Sequence, residues 1–217
     1  MNAPAVHPLR RAVAGVACAA LLAGTGACTG DSDQPAPAES PLPDASTGAA
    51  STLDAKPVPM KARVVRVGGD LSKGDRAALE RAVGRTVGAY FDDAYLGGTY
   101  PRENFSKAFS TFTDGAAQRA HRDRAFLTNA TLGRSTQAVV PRRKQAWLSA
   151  LSPRKAVAGV TAQIRLAYVA DREDAQDIRV TISGRLLLTR SKAGRWRIFG
   201  YDVSREARPL ATKGATR

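Results

Sequence analysis

Cysteine is nearly missing from this chain of 217 residues: Cys18 and Cys28 are the only two, and both lie near the N-terminus. Everything after Cys28 is therefore without a disulfide of its own, a thiolate metal ligand or a redox pair. Histidine is as scarce, with His7 and His121 alone, and no cluster of ligands with metal-site spacing is visible. Neither a glycine-rich phosphate loop nor a G-x-S-x-G elbow occurs, which removes the commonest nucleotide-binding and serine-hydrolase signatures. No cofactor is expected. Long apolar runs are missing too: residues 12–24, "AVAGVACAALLAG", fall short of the roughly 20 residues that span a bilayer.

Acid is the minority charge, with 19 Asp and Glu against 33 Lys and Arg. The imbalance is unevenly spread. Residues 1–27 hold Arg10 and Arg11 and no acid, whereas residues 29–58 hold Asp31, Asp33, Glu39, Asp44 and Asp54 against Lys56 alone. The remaining 30 basic and 14 acidic residues leave the chain from Pro59 onward at a formal +16. Such a surplus favours anionic partners, among them nucleic acid, lipid headgroups and wall phosphate polymers.

The N-terminus reads as an address. "HPLRR" supplies a positive start, residues 12–24 an apolar core of signal-peptide length, and small residues follow. "TGAC", residues 25–28, resembles the lipobox of bacterial lipoproteins, with Thr25 where that family prefers Leu. The resemblance implies cleavage after residue 27, acylation of Cys28 with chains such as palmitate, and a lipid-anchored protein on the outer face of the cell membrane. Two other readings stay open: an export signal cut near "TGA" without lipidation, and a twin-arginine signal on Arg10 and Arg11. Residues 28–58, with Pro35, Pro37, Pro41, Pro43 and Pro57 and a net negative charge, have a disordered tether's composition. Thirty such residues reach roughly 30 Å as a coil and up to about 90 Å as polyproline II.

One domain is expected over 59–207, followed by a flexible basic tail over 208–217. Between Asp70 and Gly97 the spacing of Leu79, Val83, Val87, Tyr90 and Ala94 predicts a helix, with Ser72 and Asp75 placed as a capping box. Pro101 suits the first turn of a second helix whose Phe105, Phe109 and Phe112 share a face. Asp114 is placed as the cap of a third, over 115–127. After Leu132 the period becomes two: 144–152, 157–170, 178–190 and 195–203 read as four strands joined by short loops. The fold class is α+β, N-terminal helices on one face of a curved antiparallel sheet of about four strands.

Element order, the long hairpin over 157–190 and the terminal "GRWRIFGYDV" resemble the NTF2-like superfamily, also called SnoaL-like or cystatin-like cone folds, over roughly residues 70–205. Surface lipoproteins of high-GC Gram-positive bacteria commonly look like this. The resemblance implies a pocket between helices and sheet, in which some members carry out isomerase, cyclase or dehydratase chemistry with an Asp, His or Tyr.

The pocket candidates are Tyr90, inside the apolar stripe, and Asp93, at its rim; Asp92 and His121 fall on solvated faces. No acid–base constellation is visible, so catalytic residues are not assigned, and an enzyme with its pocket between the first helix and the sheet is the alternative reading. The strand register instead puts Arg165, Arg179, Arg185 and Arg197 on the sheet face away from the core, near "PRRK" at 141–144. They are the candidate contacts to anionic lipid or wall polymer. Export and few interleaved aromatics speak against nucleic acid. A protein partner stays open, because NTF2-like domains often dimerise through that outer face. The expected function is a non-catalytic binding or interaction domain at the cell surface.

Overall fold

The described part of the chain, residues 57–153, 156–173 and 175–210 of a computed structural model, belongs to a unit that runs from Ala50 to Arg217. The expected signal segment, Cys28 and the tether up to residue 56 lie outside the described residues, as does the tail from residue 211. The elements are β1 (Lys61–Gly69), α1 (Lys73–Phe91), α2 (Asp114–Arg122), α3 (Arg124–Leu127), β2 (Ala138–Ser152), β3 (Gly159–Asp171), β4 (Ile178–Arg190) and β5 (Trp196–Pro209). One open sheet is ordered β1-β2-β3-β4-β5, with β1 parallel to β2 and every other pair antiparallel. Arg208 and Pro209, placed in the tail by sequence, close β5.

Alternation builds the meander. Val160, Ala162, Ile164, Leu166 and Tyr168 of β3 are buried, as are Val180, Ile182, Leu186 and Leu188 of β4. Each buried aliphatic side chain contributes on the order of 2 kcal/mol, and the helices cover this one face. In α1 the expected stripe is buried at Leu79, Val83, Val87 and Tyr90. Ser72 caps the helix, its Oγ accepting from the Asp75 N–H at 3.1 Å and donating to the Asp75 carboxylate at 2.6 Å.

The sheet has five strands, one more than expected, because β1 hides its period. Ala62 and Val64 face inward, but the register slips between Val64 and Arg66, so that Val67 is the next inward residue. A bulge of this kind breaks the two-residue alternation by which a strand is recognised. The edge of β1 is held by α1: Val64 N–H donates to Glu80 Oε1 at 2.7 Å, and Arg76 Nη1 donates to Val64 O at 3.5 Å. At the opposite edge Ile198 N–H donates to Thr111 O at 3.0 Å and Thr113 N–H to Ile198 O at 2.8 Å.

No helix forms over 101–112. Successive turns close there, Phe105 O accepting from Ala108, Lys107 O from Ser110 and Phe109 O from Phe112. They reproduce helical spacing, and Phe105, Phe109 and Phe112 are buried as a helix face would be. Arg102 holds the segment's start, donating to the carbonyls of Asp93 at 2.7 Å, Gly97 at 2.5 Å and Asn104 at 2.9 Å. The third expected helix is two: the chain leaves helical geometry at Asp123, whose carboxylate accepts from Tyr201 Oη at 2.7 Å. Thr113, one residue before Asp114, stands at the N-cap of α2.

Candidate functional site

The space between helices and sheet is filled from within. After Phe91 the chain makes one π-helical turn over Asp92–Leu96, which brings Tyr95 beneath Tyr90 with the two hydroxyls 3.2 Å apart. Tyr90 donates to Leu127 O at 3.0 Å and Tyr95 to Phe126 O at 3.1 Å. The carbonyls at the end of α3 have no partner within so short a helix, and these phenols supply it. Asn129, fully buried, accepts from Tyr168 at 2.9 Å and from Arg205 at 3.3 Å and donates to Tyr100 at 3.2 Å. Arg205, inward on β5, also donates to Ala125 O, Thr128 O and Thr131 Oγ1.

Burial pushes the phenols of Tyr90, Tyr95, Tyr100 and Tyr168 above the ordinary tyrosine range. They are neutral donors, fixed to named acceptors. Tyr90 is thus a core tyrosine with its hydroxyl satisfied. Asp93 does not share its space: its carboxylate accepts from Ser110 Oγ at 3.1 Å and lines an open groove of about 780 Å³ with Arg102 and Lys107. His121 packs edge-on against Phe109, ring centroids 5.0 Å apart, at the wall of another groove of about 530 Å³. Among the described residues no three metal-binding side chains converge.

Of the four arginines expected on the outer face of the sheet, Arg165, Arg179 and Arg185 stand at outward register positions. Arg165 is exposed and stands opposite Gln145 and Ser183. Arg179 stands opposite Val169 and Arg208. Arg185 is bound to Asp202 at 2.5 Å across β4 and β5. Arg197 is turned to the sheet edge, where its Nε donates to Phe112 O at 3.0 Å. Lys144 of "PRRK" points inward to Asp92 at 2.7 Å.

The unforeseen β1 supplies what those residues do not. Lys61, Arg63 and Arg66 stand opposite Gln145, Trp147 and Ser149 of β2. Trp147 itself is 37% exposed, between Arg63 and Gln163, and Arg143 and Arg165 continue the basic area across β2 and β3. On this face the acids are Asp171, at the far end of β3 opposite Ala138, and Asp202 and Glu206 on β5, the latter two held by arginines, Glu206 by Arg208 at 2.7 Å. The cations around Trp147 therefore have no acid beside them on these strands. Sequence missed this cluster because a strand not recognised cannot lend its side chains to a face. "KARVVR", with a cation at every second or third residue, was the available signal. No protein-family model, curated protein or solved structure matches the chain.

Proposed function

We propose that the chain is an exported lipoprotein, anchored through Cys28, whose domain is an NTF2-like module that binds anionic lipid with the outer face of its sheet and does no chemistry. One observation carries the reading: Lys61, Arg63, Arg66, Arg143 and Arg165 surround the half-exposed Trp147, and the acid on their three strands' outer face, Asp171, stands at the far end of β3 opposite Ala138. Each cation near an anionic leaflet contributes on the order of 1 kcal/mol, and an indole suits the interface between headgroups and acyl chains. The NTF2-like reading draws support from helices gathered on one side of a mostly antiparallel sheet.

The chain from residue 29 onward, without an anchor, tests the face. It is expected to sediment with vesicles containing phosphatidylglycerol at about 0.15 M salt and to be released as salt rises. Equal sedimentation with neutral phosphatidylcholine vesicles overturns the reading, and so does binding to purified wall polymer in preference to anionic vesicles. The anchor is tested separately by Cys28→Ala, which should leave the membrane fraction; retention there at wild-type level rejects lipidation.

A further inference from the structure

A second basic surface lies away from the outer face, where α1 meets the β4–β5 hairpin. Two adjoining cavities, about 520 and 390 Å³, share Ala82, Arg85 and Trp196 as walls. Arg81 and Arg85 are one helical turn apart on α1, and Arg190 and Arg195 flank the hairpin turn. Small side chains at Ala78, Ala82 and Ala89 keep the helix low between them.

Three features distinguish this cleft from an ordinary solvated surface. The guanidinium groups of Arg81, Arg85 and Arg195 have no hydrogen bond or ion pair among the described residues, and that of Arg190 rests over the Trp196 ring, 5.5 Å from its centroid. The smaller cavity has no acid in its wall, and the larger has Asp75 alone, already engaged by Ser72. Two buried groups on the walls have no partner, the indole N–H of Trp196, a residue 5% exposed, and Thr111 Oγ1. Buried donors are almost always satisfied in folded proteins, and these two, closed to solvent, leave the wall beside the unpaired arginines without an acceptor.

We propose that this cleft binds a phosphate group, with Arg85 and Arg195 as its charge partners. A tetrahedral dianion offers several acceptor oxygens, enough for forked pairs with more than one guanidinium, whereas a carboxylate has two oxygens in one plane. The combined space suits a small phosphomonoester. The site is independent of the vesicle-binding face, since none of these residues belongs to the cluster around Trp147.

The chain contains two tryptophans, so Trp147→Phe makes Trp196 the only indole and its fluorescence a report on the cleft. In that background, titrations with inorganic phosphate, with glycerol 3-phosphate and with micellar short-chain phosphatidic acid should each change the emission saturably below about 10 mM, and acetate should not. A preference of tenfold or more for one probe identifies the source of the phosphate as free ion, soluble ester or lipid. Arg85→Ala and Arg195→Ala alter exposed side chains and should each weaken binding at least tenfold, with unfolding midpoints unchanged when no phosphate is present. No saturable response to any of the three phosphates overturns the proposal, as does an unchanged affinity in both arginine variants or an equal response to acetate.

Discussion

The hydroxyls of Tyr90 and Tyr95 meet at 3.2 Å although five residues separate them. On a regular α-helix that interval turns the side chains about 140° apart. The π turn over Asp92–Leu96 removes the difference, and both phenols then reach the carbonyls that end α3. A local irregularity in one helix is thereby matched to the open end of another, and the interior around Tyr90 is filled by protein.

Tyr90→Phe leaves Leu127 O buried without its donor. The expected loss is about 1–3 kcal/mol, read as a lower urea midpoint at an unchanged slope. Tyr95→Phe should behave alike, and a double-mutant cycle should show coupling of about 0.5 kcal/mol or more. Additive losses would mean that the two hydroxyls do not support one another.

Raising the pH should weaken the fold from the phenols first. Burial, reinforced by a hydrogen bond to Asp123 and that carboxylate's charge, pushes Tyr201 up to about 12, and the other four tyrosines are shifted in the same direction. A group that keeps its proton more tightly when folded contributes stability that is whole below its unfolded value of 10.0 and is lost as pH climbs toward the folded one. Unfolding free energy should therefore be flat in this respect up to pH 10 and fall from there to 12. Absorbance of the phenolates, followed alongside circular dichroism, checks it; free titration of all five near 10 with the fold intact would refute it.

Two glycines with positive φ should respond unequally to alanine. At Gly184, φ +138°, a methyl group would lie 2.2 Å from Asp202 O in the neighbouring strand, a clash with backbone that has no soft way out. At Gly194, φ +74° in the β4–β5 turn, nothing stands within 4 Å. Gly184→Ala is expected to cost about 3 kcal/mol or more, and Gly194→Ala about 1 kcal/mol for the left-handed conformation alone. Thermal unfolding of the two variants gives the comparison.

On the outer face, partnership decides which arginines bind. Arg63→Ala should weaken attachment to phosphatidylglycerol vesicles by about fivefold. Arg185→Ala, which leaves the Asp202 carboxylate without its ion pair, changes the charge of the face by the same single unit and should lower it to a similar extent, whereas the double variant Arg185→Ala with Asp202→Ala should come close to wild type. Identical sedimentation of all three variants would show that the face takes no part.

The meander from β2 to β5 was legible because its strands are long, alternate cleanly and follow one another with short turns. β1 was not, for its bulge at Val65 puts two valines side by side and Arg66 out of step. Phe105, Phe109 and Phe112 show why a period alone cannot name an element: chained turns bury the same positions as a helix would. Of the candidate site residues, Arg165 lies on the expected face, but the engagement of Arg197 with Phe112 O depends on a loop carried past the edge of β5, which no pattern within the strand encodes. Tyr90 reads as core from its place in the stripe; that its hydroxyl would meet α3 depends on a pairing between segments 37 residues apart.

Both margins of the sheet are occupied by the chain itself, Val64 by Glu80 and Arg76 on one side and Ile198 by Thr111 and Thr113 on the other. A neighbouring molecule seeking to add its own strand would meet these internal partners near the middle of β1 and at the start of β5. The protein is thus guarded at these points against edge-to-edge stacking while it carries Val65, Leu151 and Phe199 in the open.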